Sequence, residues 1–200
     1  EALEKVYPDV KCSLQYEKPY ELLIATRLSA QCTDARVNIV AGPLFKKYPN
    51  LEAFANADIK ELEEAVKPCG FYHTKAKSIK EMAGQLLEHF GGQVPQTMEE
   101  LLTLSGVGRK TANLILGDVW GKPAIVTDTH FIRITGRLGL TENKEPARVE
   151  KDLIKLIPPE VSSHFCHQTV QFGRDICRAR KPLCSECPCS GFCKYFSSIK

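Results

Sequence analysis

Leu104-Ser105-Gly106-Val107-Gly108-Arg109-Lys110 lies between two stretches of helical character, and its reading decides the fold. Upstream, Thr97 and Glu100 have the spacing in which a capping hydroxyl and a returning carboxylate satisfy free amides at a helix start. Downstream, Ala112 to Val119 is periodically apolar. Two glycines separated by one residue let the backbone bend without steric cost and let its amides approach a ligand closely. Those amides belong to a helix N-terminus, where an anion is favoured. The stretch predicts helix, tight turn, helix, with a phosphate group as the natural occupant, although hairpins also turn on glycine for packing alone.

The same periodicity runs outward in both directions. Ile79, Met82, Ala83, Leu86, Leu87 and Phe90 follow the spacing of one buried helical face, as do Val149, Leu153, Leu156 and Ile157. Asp58 with Glu61 marks a second capped start. Breaks fall at Pro49-Asn50, Pro68-Cys69-Gly70, Gly91-Gly92, Gly121-Lys122-Pro123 and Pro158-Pro159. Only Ala124-Ile125-Val126-Thr127 reads like a strand, and it is short enough to be an extended linker. The fold class is all-α, without fixed-period repeats or low-complexity segments.

Two hundred residues suffice for one large domain or two small ones, since domains usually run to about 100–150 residues. No run of ~18 apolar residues is present to span a bilayer, and no charged-then-apolar leader opens the chain, so an intracellular protein that does not engage a membrane is expected. Residues 1–100 hold 12 Lys/Arg against 15 Asp/Glu, and residues 101–200 hold 15 against 9. The second half is therefore positive, which suits either a polyanion or a solvated face.

Nine cysteines, an odd count without a leader, argue for metal binding or plain thiols over disulfides. Cys177-x6-Cys184-x2-Cys187-x5-Cys193 places four thiolates close enough for one loop to wrap a metal centre. Soft sulfur ligands select zinc or iron–sulfur. A single C-x2-C hook leans toward iron–sulfur, because zinc ribbons usually pair two. Cys189 falls outside the regular spacing and is left to pack nearby. Arg174, Arg178, Arg180 and Lys181 flank the first ligands and offer cations to phosphates.

Lys110 falls in the first turn of the second helix, where its charge opposes the helix dipole at a cost of up to ~1 kcal/mol. Lysine is the residue type that forms Schiff bases. Asp128 stands where an acidic N-cap would begin a helix from Thr129 to Leu138. A carboxylate so fixed can stabilise positive charge developing on a sugar, or take part in proton transfer. An ordinary solvated lysine and a plain cap fit the same positions.

Leu104 to Asn113, Thr127 to His130 and the spaced cysteines, together with Leu28-Ser29-Ala30-Gln31, Thr33-Asp34, Gly70-Phe71-Tyr72 and Lys75-Ala76, resemble the endonuclease III family, the iron–sulfur branch of the helix-hairpin-helix DNA glycosylases. The resemblance runs through nearly the whole chain. It implies two helical lobes with a DNA-binding cleft between them: a six-helix lobe with the hairpin over residues 12–122, and an iron–sulfur lobe made of residues 1–11 and 123–200. It implies removal of oxidised pyrimidines from duplex DNA, followed by strand cleavage at the abasic site by β-elimination, by a monomer carrying a [4Fe-4S] cluster on Cys177, Cys184, Cys187 and Cys193. Lys110 matches the family's nucleophile and Asp128 its acidic partner. Gly106, Val107, Gly108 and Arg109 match the phosphate-gripping hairpin, and His130 falls in a matching DNA-binding segment. Gln31 matches the residue that fills the space left by the extruded nucleotide, and Phe71 the apolar wedge in the opposite strand.

Three positions depart from the pattern. Ser105 replaces the usual proline, Thr127 stands where valine is frequent, and Phe71 is bulkier than the usual leucine. These bear on substrate preference, not on the reaction. The competing readings are an adenine-mismatch-type monofunctional glycosylase, which normally lacks the lysine, a non-catalytic DNA-binding module with a structural metal, and a redox carrier. If the source is bacterial or archaeal, the expected location is the cytoplasm or nucleoid.

Overall fold

The computed structural model describes residues 1–199, and every regular element among them is helical. The chain divides into two compact units: a contiguous one, Ser13–Trp120, and a discontinuous one, Glu1–Cys12 with Gly121–Lys200. Helix α1 (Ala2–Val6) belongs to the discontinuous unit. The contiguous unit contains α2 (Pro19–Ser29), α3 (Asp34–Lys47), α4 (Leu51–Ala55), α5 (Ile59–Val66), α6 (Tyr72–Phe90), α7 (Met98–Leu101) and α8 (Arg109–Asp118). The chain then returns with α9 (Thr129–Leu138), α10 (Pro146–Leu153), α11 (Ser162–Asp175) and α12 (Lys194–Ser198).

In the contiguous unit α2 is the central helix, with Leu22, Leu23, Ile24, Ala25 and Leu28 fully buried. Helix α6 packs against α2, α4 and α5 through Ile79, Met82, Ala83 and Leu86, all buried. The Phe54 ring from α4 meets Tyr48 and Phe45 at centroid distances of 5.1 and 6.4 Å, separations at which aromatic pairs attract beyond simple burial. Helix starts form where the sequence places capping oxygens. Thr33, Asn50, Asp58 and Thr97 each accept a first-turn amide.

The carboxylate half of the two expected capping boxes takes other partners. Glu61 pairs with Lys47 Nζ at 2.9 Å, and Glu100 Oε2 accepts the Thr97 hydroxyl at 2.7 Å. For Glu61 a nearby cation outcompetes the backbone amide, since charge-assisted contacts are the stronger ones.

The discontinuous unit is built on α9 against α11 and α12, with α1 docked on α11. Leu3, Ile134, Phe172 and Cys189 form its buried cluster. Helices α9 and α11 approach closely at Gly173, where a Cβ would collide with the His130 ring and stand 2.8 Å from Arg133 Nη2 and 3.0 Å from Ile134 Cδ1. Ala124–Thr127 is extended and buried but joins no sheet. Its amides are taken by side chains of α11: Ala124 N–H donates to Ser162 Oγ (3.1 Å) and Val126 N–H to Cys166 Sγ (3.3 Å).

The second predicted apolar face is shorter than its sequence pattern. Val149 and Leu153 are fully buried, but α10 ends at Leu153 and Leu156 is 60% exposed. Past Leu153 the chain continues in turn bonds, Lys155 N–H to Asp152 O and Leu156 N–H to Leu153 O, and Pro158-Pro159 keeps the helix from resuming.

Gly173→Ala is expected to destabilise the fold by about 1–3 kcal/mol, the usual cost of overpacking. In urea unfolding the midpoint should fall with the slope unchanged.

Candidate DNA-repair site

The hairpin is held in place from beneath. Gly106 has φ +77, and a Cβ there would lie 2.8 Å from Arg27 Cδ and Nε and 3.1 Å from Ser78 Cβ. Arg27 Nε donates in turn to Ser78 Oγ at 2.6 Å. Both the left-handed backbone and the lack of space require glycine. Val107 N–H closes the turn on Leu104 O at 3.1 Å. Ser105, at the position usually held by proline, gains two tethers to α6: its amide donates to Gln85 Oε1 (2.7 Å) and its hydroxyl to Glu81 Oε2 (2.8 Å). Hydrogen bonds here supply the fixing that a proline ring would give.

Gly108 is the N-cap of α8 and brings no side chain of its own to the first-turn amides, which have no acceptor within the helix. Gly106, Gly108, Arg109 and Lys110 are exposed and Val107 is half-buried. Lys110 is the second residue of α8, one turn before Asn113. Asn113 is buried, and its Nδ2 has no hydrogen-bond partner among the described residues. An unpaired buried donor is uncommon in folded chains, and it shares the helical face of Lys110. A buried asparagine in an otherwise apolar stretch was the available sequence signal.

Asp128 caps α9, its Oδ1 accepting the Phe131 amide at 2.7 Å. This fixes the half-buried carboxylate at the head of the helix, after the buried Thr127. His130 shares that first turn, and its Nδ1 lies 3.1 Å from Arg133 Nη2. Asp128 and His130 therefore stand together in the discontinuous unit, while Lys110 and the hairpin belong to the contiguous one.

Gln31 and Phe71 are two of the three non-glycine residues with positive φ among the described residues, at +54 and +47. Gln31 is exposed and follows the end of α2; Phe71, 65% exposed, begins α6. Phe71 is thus no core aromatic. Strained backbone of this kind persists only where its surroundings hold it. Lys75 does part of that holding: the side chain is 1% exposed, and Nζ donates to Leu28 O and Cys69 O, both at 2.8 Å. Burial pushes the Lys75 ammonium below its ordinary pKa. The brace has no signature in sequence, because its acceptors are backbone carbonyls.

Cys177, Cys184, Cys187 and Cys193 line one pocket together with Phe172 and Tyr195. Among the described residues no three His, Cys, Asp or Glu side chains converge closely enough to hold a single ion, so the four sulfurs stand around the pocket and not at one point. Burial raises the Cys187 thiol pKa, the Cys189 backbone amide lowers it, and nearby Cys177, Cys193 and Cys184 raise it, since neighbouring thiolates repel one another. Cys189 is 2% exposed and packs in the apolar cluster, with burial pushing its thiol up to about 12.

Helix α9 grips this loop with two arginines. Arg133 Nε and Nη2 donate to Cys177 O at 3.3 and 3.1 Å. Arg137 Nη1 donates to Cys177 Sγ (3.4 Å) and Arg178 O (2.8 Å), and its guanidinium lies 4.7 Å from the Tyr195 ring centroid. Arg174, Arg178, Arg180 and Lys181 are exposed around the loop.

Residues 24–159 match the model of the HhH-GPD superfamily of base excision DNA repair proteins. Endonuclease III of Synechocystis sp. is 50% identical over 192 residues, which cover 96% of this chain and 88% of that protein. The chain belongs to the endonuclease III family. It is a base-excision DNA glycosylase and lyase that acts on DNA. The Bacillus subtilis endonuclease III is 42% identical over 94% of this chain and 87% of its own length. Among solved structures, a non-covalent endonuclease III–DNA complex matches with a TM-score of 0.93 at 40% identity, covering 98% of this chain and 92% of that one. A trapped endonuclease III–DNA covalent intermediate matches with a TM-score of 0.92 at 40% identity, covering 98% and 93%. Endonuclease III proteins as a family carry a [4Fe-4S] cluster.

Gly106→Ala is expected to cost about 1–3 kcal/mol for the strained backbone and to weaken duplex binding while leaving helix content intact. Circular dichroism and fluorescence anisotropy on the same samples check both halves.

Proposed function

We propose that the chain excises oxidised pyrimidines from duplex DNA and cleaves the resulting abasic site, with Lys110 as nucleophile and Asp128 as its acidic partner. The observation that carries this reading is the placement of Lys110: an exposed amine in the first turn of α8, directly after a hairpin whose backbone is fixed by Arg27 and Ser78. The covalent intermediate of a relative at 40% identity supports a covalent route.

The hairpin amides and Arg109 hold phosphates, His130 adds a contact beside Asp128, and Gln31 and Phe71 fill the stack as the damaged nucleotide turns out. Damage weakens stacking, so extrusion costs less than the few kcal/mol of an intact base. Lys110 Nζ, once neutral, attacks the sugar C1′ and the bond to the base breaks, the base leaving with a proton. The carboxylate of Asp128 stabilises the positive charge on the sugar. The C1′–O4′ bond then opens, O4′ taking the remaining amine proton, to leave an imine at C1′; loss of a C2′ proton from this imine expels the 3′ strand by cleavage of the C3′–O3′ bond, and water then frees Lys110.

Cys177, Cys184, Cys187 and Cys193 fit a [4Fe-4S] cluster: the donor set is all thiol, the sulfurs surround a shared pocket, and Arg137 already donates to one of them. These four cysteines would hold the cluster through their sulfurs, and it would then cross-link the loop. The exposed arginines of that loop are then available to DNA phosphates. Such a substrate calls for the compartment that holds the chromosome, the cytoplasm or nucleoid if the source is bacterial or archaeal.

Borohydride trapping on duplex DNA with one oxidised thymine should give a covalent complex with the protein as it is and none with Lys110→Gln. Trapping by Lys110→Gln would refute the assignment. Asp128→Asn should bind the same duplex but react about 10²–10⁴-fold more slowly, the usual range for a lost acid–base or charge-stabilising group. Cys187→Ser should lose iron and acid-labile sulfide together and unfold at lower temperature.

A further inference from the structure

We propose that Lys75 is a positioning residue for nucleotide extrusion: its ammonium ties the turn that carries Gln31 to the turn that carries Phe71, so that both side chains enter the DNA stack in fixed register. Its effect on excision rests on the proposed stack-filling roles of Gln31 and Phe71. Nζ donates to Leu28 O and to Cys69 O, both at 2.8 Å. Leu28 lies in the last turn of α2, just before Gln31, and Cys69 ends the 3-10 turn Lys67–Cys69, just before Gly70 and Phe71. The amide that helical spacing would bring to Leu28 O is that of Cys32, and it donates to Ser29 O instead, at 3.0 Å. Carbonyls from two turns far apart in the chain thus converge on one cation, the charge that suits the end of a helix.

The side chains to be placed depend on their backbone. Phe71 is 65% exposed and Gln31 is exposed as well, and both hold left-handed geometry, which persists only where the surroundings enforce it. Lys75 meets Phe71 twice, because its own amide also donates to Phe71 O at 3.0 Å.

Burying this ammonium is costly. Among the described residues its partners are two carbonyls and no carboxylate, and a buried charge without a counter-charge lowers stability. An apolar chain of the same length would fill the space, so packing does not account for a lysine here, whereas a clamp on two carbonyls does. The hairpin is held by other side chains, Ser78 with Arg27, Glu81 and Gln85. A change at Lys75 therefore loosens the Gln31 and Phe71 turns and leaves the seat of Lys110 in place.

Lys75→Met keeps the length of the side chain and removes its charge and donors. Hydrogen exchange on the protein with its cluster in place and no DNA reads the clamp directly: the amides of Cys32 and Gly70 should both exchange about tenfold faster or more in the variant, through local opening, with Val107 of the hairpin unchanged. Loosening of one turn alone, or of neither, overturns the coupling. Single-turnover excision of an oxidised thymine from duplex DNA should slow about tenfold or more, since small misplacements of positioning groups are costly, and a fluorescent base analogue beside the lesion should lose the signal of unstacking. Phe71→Ala should slow the protein as it is but slow Lys75→Met little further, because both changes act on one step. Effects that multiply in full make Lys75 a purely structural residue and refute the positioning role. If Lys75→Met does not fold, Lys75→Gln, which retains donors on a shorter chain, goes through the same measurements with the same outcomes expected. Failure of the unaltered protein to excise any lesion counts against the proposed function, and hydrogen exchange still decides the clamp.

Discussion

A glycine with no room for a side chain determines where α8 begins. Arg27 and Ser78, hydrogen-bonded to each other, occupy the space beneath Gly106, so the hairpin cannot shift toward the core, and the tethers from Ser105 to Gln85 and Glu81 resist movement away from it. Everything the first turn of α8 presents depends on that seat: the amides around Gly108, the exposed Arg109 and Lys110, and the buried Asn113 one turn on. Serine in place of proline therefore does not loosen the hairpin here. It exchanges a covalent restriction on one backbone angle for two hydrogen bonds to a long, well-packed helix.

Local features were legible in the sequence because local chemistry specifies them. Asp128 at the head of Thr129–Leu138 reads as a cap from residue type alone, and the amide of Phe131 bears it out. The hairpin was readable from two glycines and the capped turn at Thr97. The gathering of Cys177, Cys184, Cys187 and Cys193 around one pocket was readable because spacing within one loop is a short-range property. The failures share a different cause. Leu156 fits the apolar period but stands outside the helix, which ends at Leu153 in the turns that lead to Pro158-Pro159. Ala124–Thr127 has strand composition, yet its amides are satisfied by Ser162 and Cys166.

The residues that organise the candidate site from a distance were illegible for the same reason. Lys75 is a lysine on a helix in sequence, and only the fold turns it into a buried brace between the carbonyls of Leu28 and Cys69. Arg133 and Arg137 likewise read as one charged face of α9, whereas they grip Cys177 across a long sequence separation. Periodicity reports which face is buried. It does not report which carbonyl waits on the other side.

The discontinuous unit has a consequence for how the chain is made. Residues 13–120 are contiguous, so that unit is complete once its own segment has left the ribosome. Helix α1 precedes it in the chain, but Leu3 packs with Ile134, Phe172 and Cys189, which are made after it. At about 5–20 residues per second, α1 stays undocked for several seconds while those partners are synthesised. During that interval its apolar residues are open to chaperones and proteases.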